Sequence, residues 1–179
     1  KATVDWKSRL DELRALCDKF RCRKRERYDC VVPGSGGKDS FYAAHFLKFE
    51  MDMNPITVTW APNMFTDWGW RNHQAWINAG FDNILITPSK RTHRVLTRLA
   101  TEVLLHPFQP FMIGQKTIAS KIAEKYDIPL IFYGENEAEY GNPSRSYNDA
   151  KRDIAFSSTS DWSNISFGGV SLADLQSEF

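Results

Sequence analysis

What the chain has little of narrows its class first. No apolar stretch approaches the ~20 residues that a bilayer-spanning helix needs, and no segment reads as a signal peptide. Cysteine is scarce. Cys17, Cys22 and Cys30 include no Cys-x-x-Cys pair, and Cys30 sits inside an apolar run. Reduced thiols acting as small hydrophobes account for them better than a zinc site or a disulfide. An odd count fits a reducing cytoplasm. The histidines, His45, His73, His93 and His106, have no metal-ligand spacing to one another or to a cysteine. Charge of one sign is also missing. A formal net charge of +1 gives no broad attraction to nucleic acid or to an anionic membrane, so neither is expected as a partner. No internal repeat is visible. The chain opens on Lys1 rather than Met, which reads as a fragment or a processed piece.

What is present begins with size. A length of 179 residues is that of one domain, or one domain with a tail, and is enough to bury a core. Six Trp and twelve Phe exceed what such a core needs, so a few are expected to line a ligand cleft.

The most informative segment is Gly34-Ser35-Gly36-Gly37-Lys38-Asp39-Ser40. It follows the apolar run Tyr28–Pro33, which reads as a buried strand, and it opens a run with helical spacing from Phe41. A strand, a glycine-rich turn and a helix N-terminus make an anion site: glycine backbone approaches a phosphate closely, and the first-turn amides and the helix dipole hold the charge. The spacing is not that of a Walker A loop, because Asp39 follows Lys38 where a hydroxyl is required and Val32 stands where the first glycine would. The glycines also lack the Gly-x-Gly-x-x-Gly dinucleotide spacing. What remains, Ser-Gly-Gly-x-Asp-Ser after a first strand, resembles the PP-loop of the ATP pyrophosphatases, which cleave ATP between the α and β phosphates.

The rest of the chain alternates. A helix is expected over 5–27, with Trp6, Leu10, Leu13, Leu16 and Phe20 at three- and four-residue spacing and a basic end at Arg21, Arg23, Lys24, Arg25 and Arg27. Strands are expected at 28–33, 55–60, 83–87 and 128–133. Helices are expected at 38–50, 67–79, from Ser89 to about Leu105, and from Gly114 to Tyr126. Residues 144–163 are polar and read as a loop or lid. Gly168-Gly169 reads as a turn, and Ser171-Leu172-Ala173-Asp174 as a helix start. Near-continuous apolar strands alternating with helices define an α/β fold: a doubly wound, mostly parallel sheet with helices on both faces. The expected organisation is a helical lead-in over 1–27, a nucleotide-binding core over 28–143, and a loop with the start of a truncated C-terminal region over 144–179.

Ligands in such sheets bind at the carboxyl ends of the strands, where the 34–40, 60–66 and 134–144 loops fall. In the first loop, Gly36 and Gly37 offer backbone amides and Ser35 and Ser40 offer hydroxyls to phosphate oxygens. Lys38 neutralises charge. Asp39 is either a Mg²⁺ ligand, since that ion takes one or two carboxylates plus phosphates, or an acid at a helix N-terminus. After the second strand, the backbone of Thr59 and Trp60 is placed to read an adenine edge, with Trp60 as a lid or as a core plug. After the fourth, Gly134 permits close approach, Glu135 suits Mg²⁺ or a sugar hydroxyl, and Asn136, Glu139 and Tyr140 continue a polar edge. Gln115 and Lys116 are read as starting a helix near phosphate or substrate.

With Tyr133-Gly134-Glu135-Asn136 and Glu139-Tyr140-Gly141 in view, the chain resembles a narrower family. These are the N-acetyl sugar amidotransferases, PP-loop enzymes of bacterial surface-polysaccharide (lipopolysaccharide) and flagellin-sugar biosynthesis. The likeness runs through Tyr28–Ser40, His106–Lys116, Ile128–Gly141 and Gly168–Ser171. The family is usually longer at both ends and carries an N-terminal cysteine cluster that no cysteine here matches, so no metal is expected from that source. Gly34 stands where a larger residue is more usual. The resemblance implies an adenine nucleotide α-hydrolase-like fold, a cytoplasmic enzyme, ATP and Mg²⁺ as cofactors, and an acetamido sugar as substrate. The amide oxygen of the sugar attacks the α phosphate, pyrophosphate leaves, and ammonia from a glutaminase partner displaces AMP. Two other readings are another PP-loop ATP pyrophosphatase, such as a tRNA-thiolating enzyme, and a non-catalytic ATP-binding module. The first would want a basic face and a cysteine near the site.

Overall fold

The computed structural model describes residues 5–24, 26–135 and 165–178. The first helix, α1 (Trp6–Phe20), starts on Asp5, whose carboxylate accepts from the amides of Lys7 and Ser8. It stops at Phe20, seven residues short of the expected end. Tertiary partners outside the helix account for the stop. The Arg21 guanidinium turns away to the Met51 and Asp52 carbonyls. The amide of Cys22 donates to Asp29 Oδ1 at 2.7 Å, and that of Asn54 to Asp29 Oδ2 at 2.8 Å. Asp29 is buried, so one carboxylate satisfies two backbone donors and ties the end of α1 to the start of the sheet.

Strand β1 (Cys30–Pro33) leads through the glycine-rich loop into α2 (Lys38–His45), which continues as a π-helical turn over Phe46–Glu50. Strand β2 (Pro55–Trp60), helix α3 (Asp67–Asn78) and strand β3 (Asn83–Ile86) follow, within a residue or so of expectation. The three strands pair in parallel in the order β1-β2-β3, with Val31 opposite Ile56 and Val58 opposite Ile84. Helix α4 (Lys90–Leu104) starts on Ser89, whose hydroxyl accepts from the Thr92 amide.

Helix α5 (Gln109–Lys125) begins five residues before the expected Gly114. Pro110 explains the early start: proline fits the first helical turn, where its missing N–H has no intrahelical partner to lose. The chain then returns to the free edge of β1. Val31 donates to the Leu130 carbonyl and accepts from the Phe132 amide, both at 2.9 Å, around a single parallel bridge between Val31 and Ile131. The expected strand over 128–133 is thus a short contact rather than a ladder. Pro129 has no amide to give at its start, and the backbone at its end turns onto α2.

Side-chain alternation along the strands feeds two cores. Cys30 and Val32 pack with Cys17, Ala44, Leu47, Met53, Trp76 and Phe81 on the α1–α2–α3 face. Val31, Ile56 and Val58 pack with Ile118, Ala119 and Ile122 of α5 on the other. The sheet is therefore covered on both sides, which is why its strands read as continuous apolar runs. Past the undescribed residues, β4 (Ser166–Phe167) and β5 (Val170–Ser171) form a hairpin around Gly168-Gly169, followed by α6 (Leu172–Glu178). The Gln109 amide clamps the hairpin: Nε2 donates to the Ser166 carbonyl at 3.1 Å and Oε1 accepts from the Gly168 amide at 2.9 Å. Ser171 caps α6 by accepting from the Asp174 amide at 3.1 Å.

Candidate active site

The loop between β1 and α2 is pressed onto its surroundings. A Cβ on Gly34 would stand 2.3 Å from that of Ser40, and one on Gly36 would stand 2.6 Å from the Asn72 carbonyl oxygen of α3. Gly36 also has a φ of +81°, a left-handed conformation that glycine adopts without steric cost. Gly37 differs. Among the described residues, a Cβ there would meet only Ser35 Oγ, at 3.7 Å. Gly37 is also the N-cap of α2, and no described side chain caps that helix end. This side of the loop is thus a helix N-terminus, beside a glycine, that no described side chain caps, the arrangement that suits an anion.

Side chains complete the mouth. Ser35 is exposed and Ser40 buried, with its hydroxyl donating back to the Gly37 carbonyl at 3.2 Å. Lys38 Nζ lies 2.7 Å from Asp39 Oδ1, in a pair whose side chains are 89% and 51% exposed. A pair that open to water contributes little stability. An exposed carboxylate at the mouth of an anion site is a fitting Mg²⁺ donor set once phosphate oxygens join it. Among the described residues, no three His, Cys, Asp or Glu side chains group closely enough to hold a metal by themselves.

Gly134 joins this site from the other side. A Cβ on it would stand 2.7 Å from Asp39 C and O and from Ser40 N. The close approach that Gly134 makes is to the first turn of α2, where approach to a nucleotide or substrate was expected, and exposed Glu135 follows it at the edge of the loop. Asn136, Glu139 and Tyr140 lie outside the described residues. Thr59 is buried, with its hydroxyl accepting from Asn83 Nδ2 at 3.1 Å. The Trp60 indole packs on α5, where a Cβ on Gly114 would stand 2.3 Å from its Cε2. It belongs to the second core, and its buried Nε1 has no hydrogen-bond partner among the described residues. Gln115 and Lys116 fall in the second turn of α5 and not at its start, so a helix-terminus role does not apply to them.

Residues that sequence reading passed over stand beside the loop. Asn72, His73 and Trp76 of α3 underlie Gly36 and Gly34. His73 is buried, its ring stacked on Trp70. In the connection after β2, Asn63 Oδ1 lies 2.6 Å from Nδ1 of buried His93. Burial pushes both imidazoles below their ordinary pKa, because a charged ring loses its hydration there. The signal for the α3 residues was legible: Trp70, His73 and Trp76 recur at three-residue spacing on a helix that follows a ligand-edge loop.

Strand order and site together define a doubly wound α/β protein whose topological switch point falls beside β1. The chain leaves β1 toward β2 and β3, then returns to the opposite edge at 128–133, and the glycine-rich loop and Gly134 flank that crevice. No family model and no curated protein matches the chain by sequence. Among solved structures it is similar to the NH3-dependent NAD synthetase of Campylobacter jejuni subsp. jejuni NCTC 11168, determined in complex with nitrate. The TM-score is 0.52 at 13% identity, over 76% of this chain and 59% of that one. At that identity the likeness is one of fold, and this chain spans about three-fifths of the synthetase's length.

Proposed function

We propose that the chain is an ATP-dependent amidotransferase of the PP-loop type that activates the amide of an acetamido sugar and forms an acetamidino group with ammonia. The observation that carries the ATP part is the N-terminus of α2 at Gly37, which no described side chain caps and which Gly134 walls at Asp39 and Ser40. That the structurally similar synthetase is named for its dependence on ammonia favours ammonia as the nitrogen source. The sugar substrate rests on the family resemblance of the Gly134-Glu135-Asn136 and Glu139-Tyr140-Gly141 segments.

An amide carbon is a poor electrophile, so its oxygen must first become a leaving group. The amide oxygen attacks the α phosphorus, the bond to the β-phosphate oxygen breaks, and pyrophosphate departs with that electron pair. Ammonia adds to the imidate carbon, AMP leaves with the oxygen, and a proton lost from nitrogen gives the amidine. The first-turn amides of α2 and the hydroxyl of Ser35 hold the departing pyrophosphate, on which negative charge grows. Ser40 joins them once its hydroxyl rotates away from the Gly37 carbonyl. Lys38 neutralises part of the charge. Asp39 would hold Mg²⁺, which supplies further charge stabilisation on phosphate oxygens. Glu135, at the opposite wall, offers a carboxylate to a sugar hydroxyl or to the ion. A separate glutaminase would deliver ammonia, and the setting is cytoplasmic synthesis of bacterial surface glycans.

The test is pyrophosphate release from Mg-ATP, with and without a panel of acetamido sugars plus ammonium. Ser35→Ala and Asp39→Asn serve as controls. Sugar-dependent release abolished by both substitutions supports the reading. ATP binding without release under any sugar supports the non-catalytic module instead.

A further inference from the structure

Helix α3 lays a stripe against the phosphate loop. Trp76 underlies Gly34, with its Cη2 3.2 Å from where a Cβ would stand. One turn toward the helix N-terminus, the backbone of Asn72 and His73 underlies Gly36. Two to three residues further toward that terminus, about 3–4.5 Å of rise, stands Trp70. Because α3 follows β2 in a parallel sheet, its N-terminus lies at the ligand edge. Trp70 therefore stands just past the loop on the Gly36 side.

Its indole is held in place. The His73 ring stacks on it at 5.5 Å and 29°, and Phe65 meets it edge-on at 5.2 Å and 69°. Trp70 is nonetheless 46% exposed. A braced aromatic surface gives a ligand a contact with little ordering left to do. The neighbouring indoles are already engaged: Trp76 is fully buried, Trp60 packs on Gly114, and the Arg71 guanidinium lies 5.0 Å over the Trp68 ring. The buried Nδ1 of His73, between Trp70 and the loop, has no hydrogen-bond partner among the described residues.

We propose that Trp70 is the stacking platform for the adenine ring of the nucleotide whose phosphates the 34–40 loop holds, an inference that rests on the ATP-binding reading above. Adenine rather than sugar fits this side. A flat conjugated ring matches an indole face and tolerates the apolar side chains of Met64 and Phe65 in the connection before α3 and of Trp68 in its first turn. A polyhydroxylated sugar needs polar partners, and Glu135 follows Gly134, which meets the loop at Asp39 and Ser40 rather than at Gly36.

The experiment measures binding of Mg-ATP and of Mg-pyrophosphate, which lacks the base, to the wild-type chain and to Trp70→Ala, Trp70→Phe and Trp68→Ala. Circular dichroism checks that each variant is folded. Trp70→Ala is expected to weaken ATP about tenfold or more while pyrophosphate changes less than twofold. Trp70→Phe should keep most of the affinity, and Trp68→Ala should match wild type. Equal loss of both ligands in Trp70→Ala overturns the proposal, because the residue would then only brace the loop. Unchanged ATP binding with a raised KM for an acetamido sugar overturns it in favour of a sugar platform, and leaves the ATP reading standing. A wild-type chain that binds neither ATP nor pyrophosphate overturns the ATP reading and this proposal with it.

Discussion

Replacing Gly134 with alanine tests the wall of the site directly. The added Cβ would stand 2.7 Å from three backbone atoms of Asp39 and Ser40. Ordinary carbon contacts lie near 3.5 Å, so the two backbones must separate by roughly 0.8 Å. No flexible side chain is there to absorb the change. Overpacking of this kind costs about 1–3 kcal/mol, and in a domain of this size that lowers Tm by roughly 3–10 °C. The displaced element is the first turn of α2, so the proposed ATP turnover should fall as well, by on the order of tenfold to a hundredfold for a shift approaching 1 Å. Gly37→Ala is the matched control. Among the described residues its Cβ meets only Ser35 Oγ, at 3.7 Å, and φ is −65°, so stability changes by less than about 1 kcal/mol. The methyl group does occupy the space in front of the α2 amides, and pyrophosphate binding should weaken roughly tenfold. Differential scanning calorimetry and pyrophosphate titration on both variants separate the effects. Wild-type Tm and turnover in Gly134→Ala would refute the packing argument. Wild-type pyrophosphate affinity in Gly37→Ala would refute the loop as an anion site.

Asp29→Ala removes the acceptor for the Cys22 and Asn54 amides and should destabilise the chain by roughly 2–5 kcal/mol, read from urea unfolding; Asp29→Asn should lose less than half of that. The pKa values of His73 and His93 are depressed by burial, so the unfolded chain binds protons that the folded chain resists. Their contribution to stability is fully present above the ordinary imidazole value of about 6.5 and declines as pH falls through the folded values. Tm should drop below pH 6.5, and a His73→Gln, His93→Gln double variant should show a shallower drop between pH 5 and 7.5. Among the thiols, the backbone amide of Glu26 hydrogen-bonds Cys22 and lowers its pKa, while burial raises those of Cys17 and Cys30. Iodoacetamide at pH 7.5 should therefore label Cys22 in the folded chain, with Cys17 and Cys30 reacting only after denaturation, as peptide mass mapping would show.

Much of this architecture was legible because its signals are local. Apolar runs ending in Gly or Pro marked β1, β2 and β3, and Ser89 and Ser171 marked helix starts that the structure keeps. The loop at 34–40 was legible for the same reason, since strand, glycines and helix lie within a few residues. What sequence reading missed depends on distant partners. Arg21 leaves α1 for carbonyls 30 residues away, and no helical periodicity reports that. Trp60 sits on Gly114 because α5 crosses β2 there, a fact of packing and not of spacing. The start of α5 lies at Gln109 rather than at the expected Gly114, although Pro110 is a local signal for a first helical turn there.

The crossover that places 128–133 on the far edge of β1 also sets an order of events as the chain is made. Residues 28–86 hold everything that β1, β2 and β3 need to pair with one another. The edge of β1 at Val31 stays unpaired until Leu130 and Phe132 have been synthesised. About 50 residues separate β3 from Gly134, which at translation speeds of ~5–20 residues/s is roughly 3–10 s. For that interval a nascent chain would display a bare strand edge, the kind of surface that recruits another strand. The 34–40 loop would meanwhile lack its second wall. Completion of the crevice beside that loop and closure of the sticky edge are thus one event, so a polypeptide halted before it would have an unfinished site and be prone to self-association.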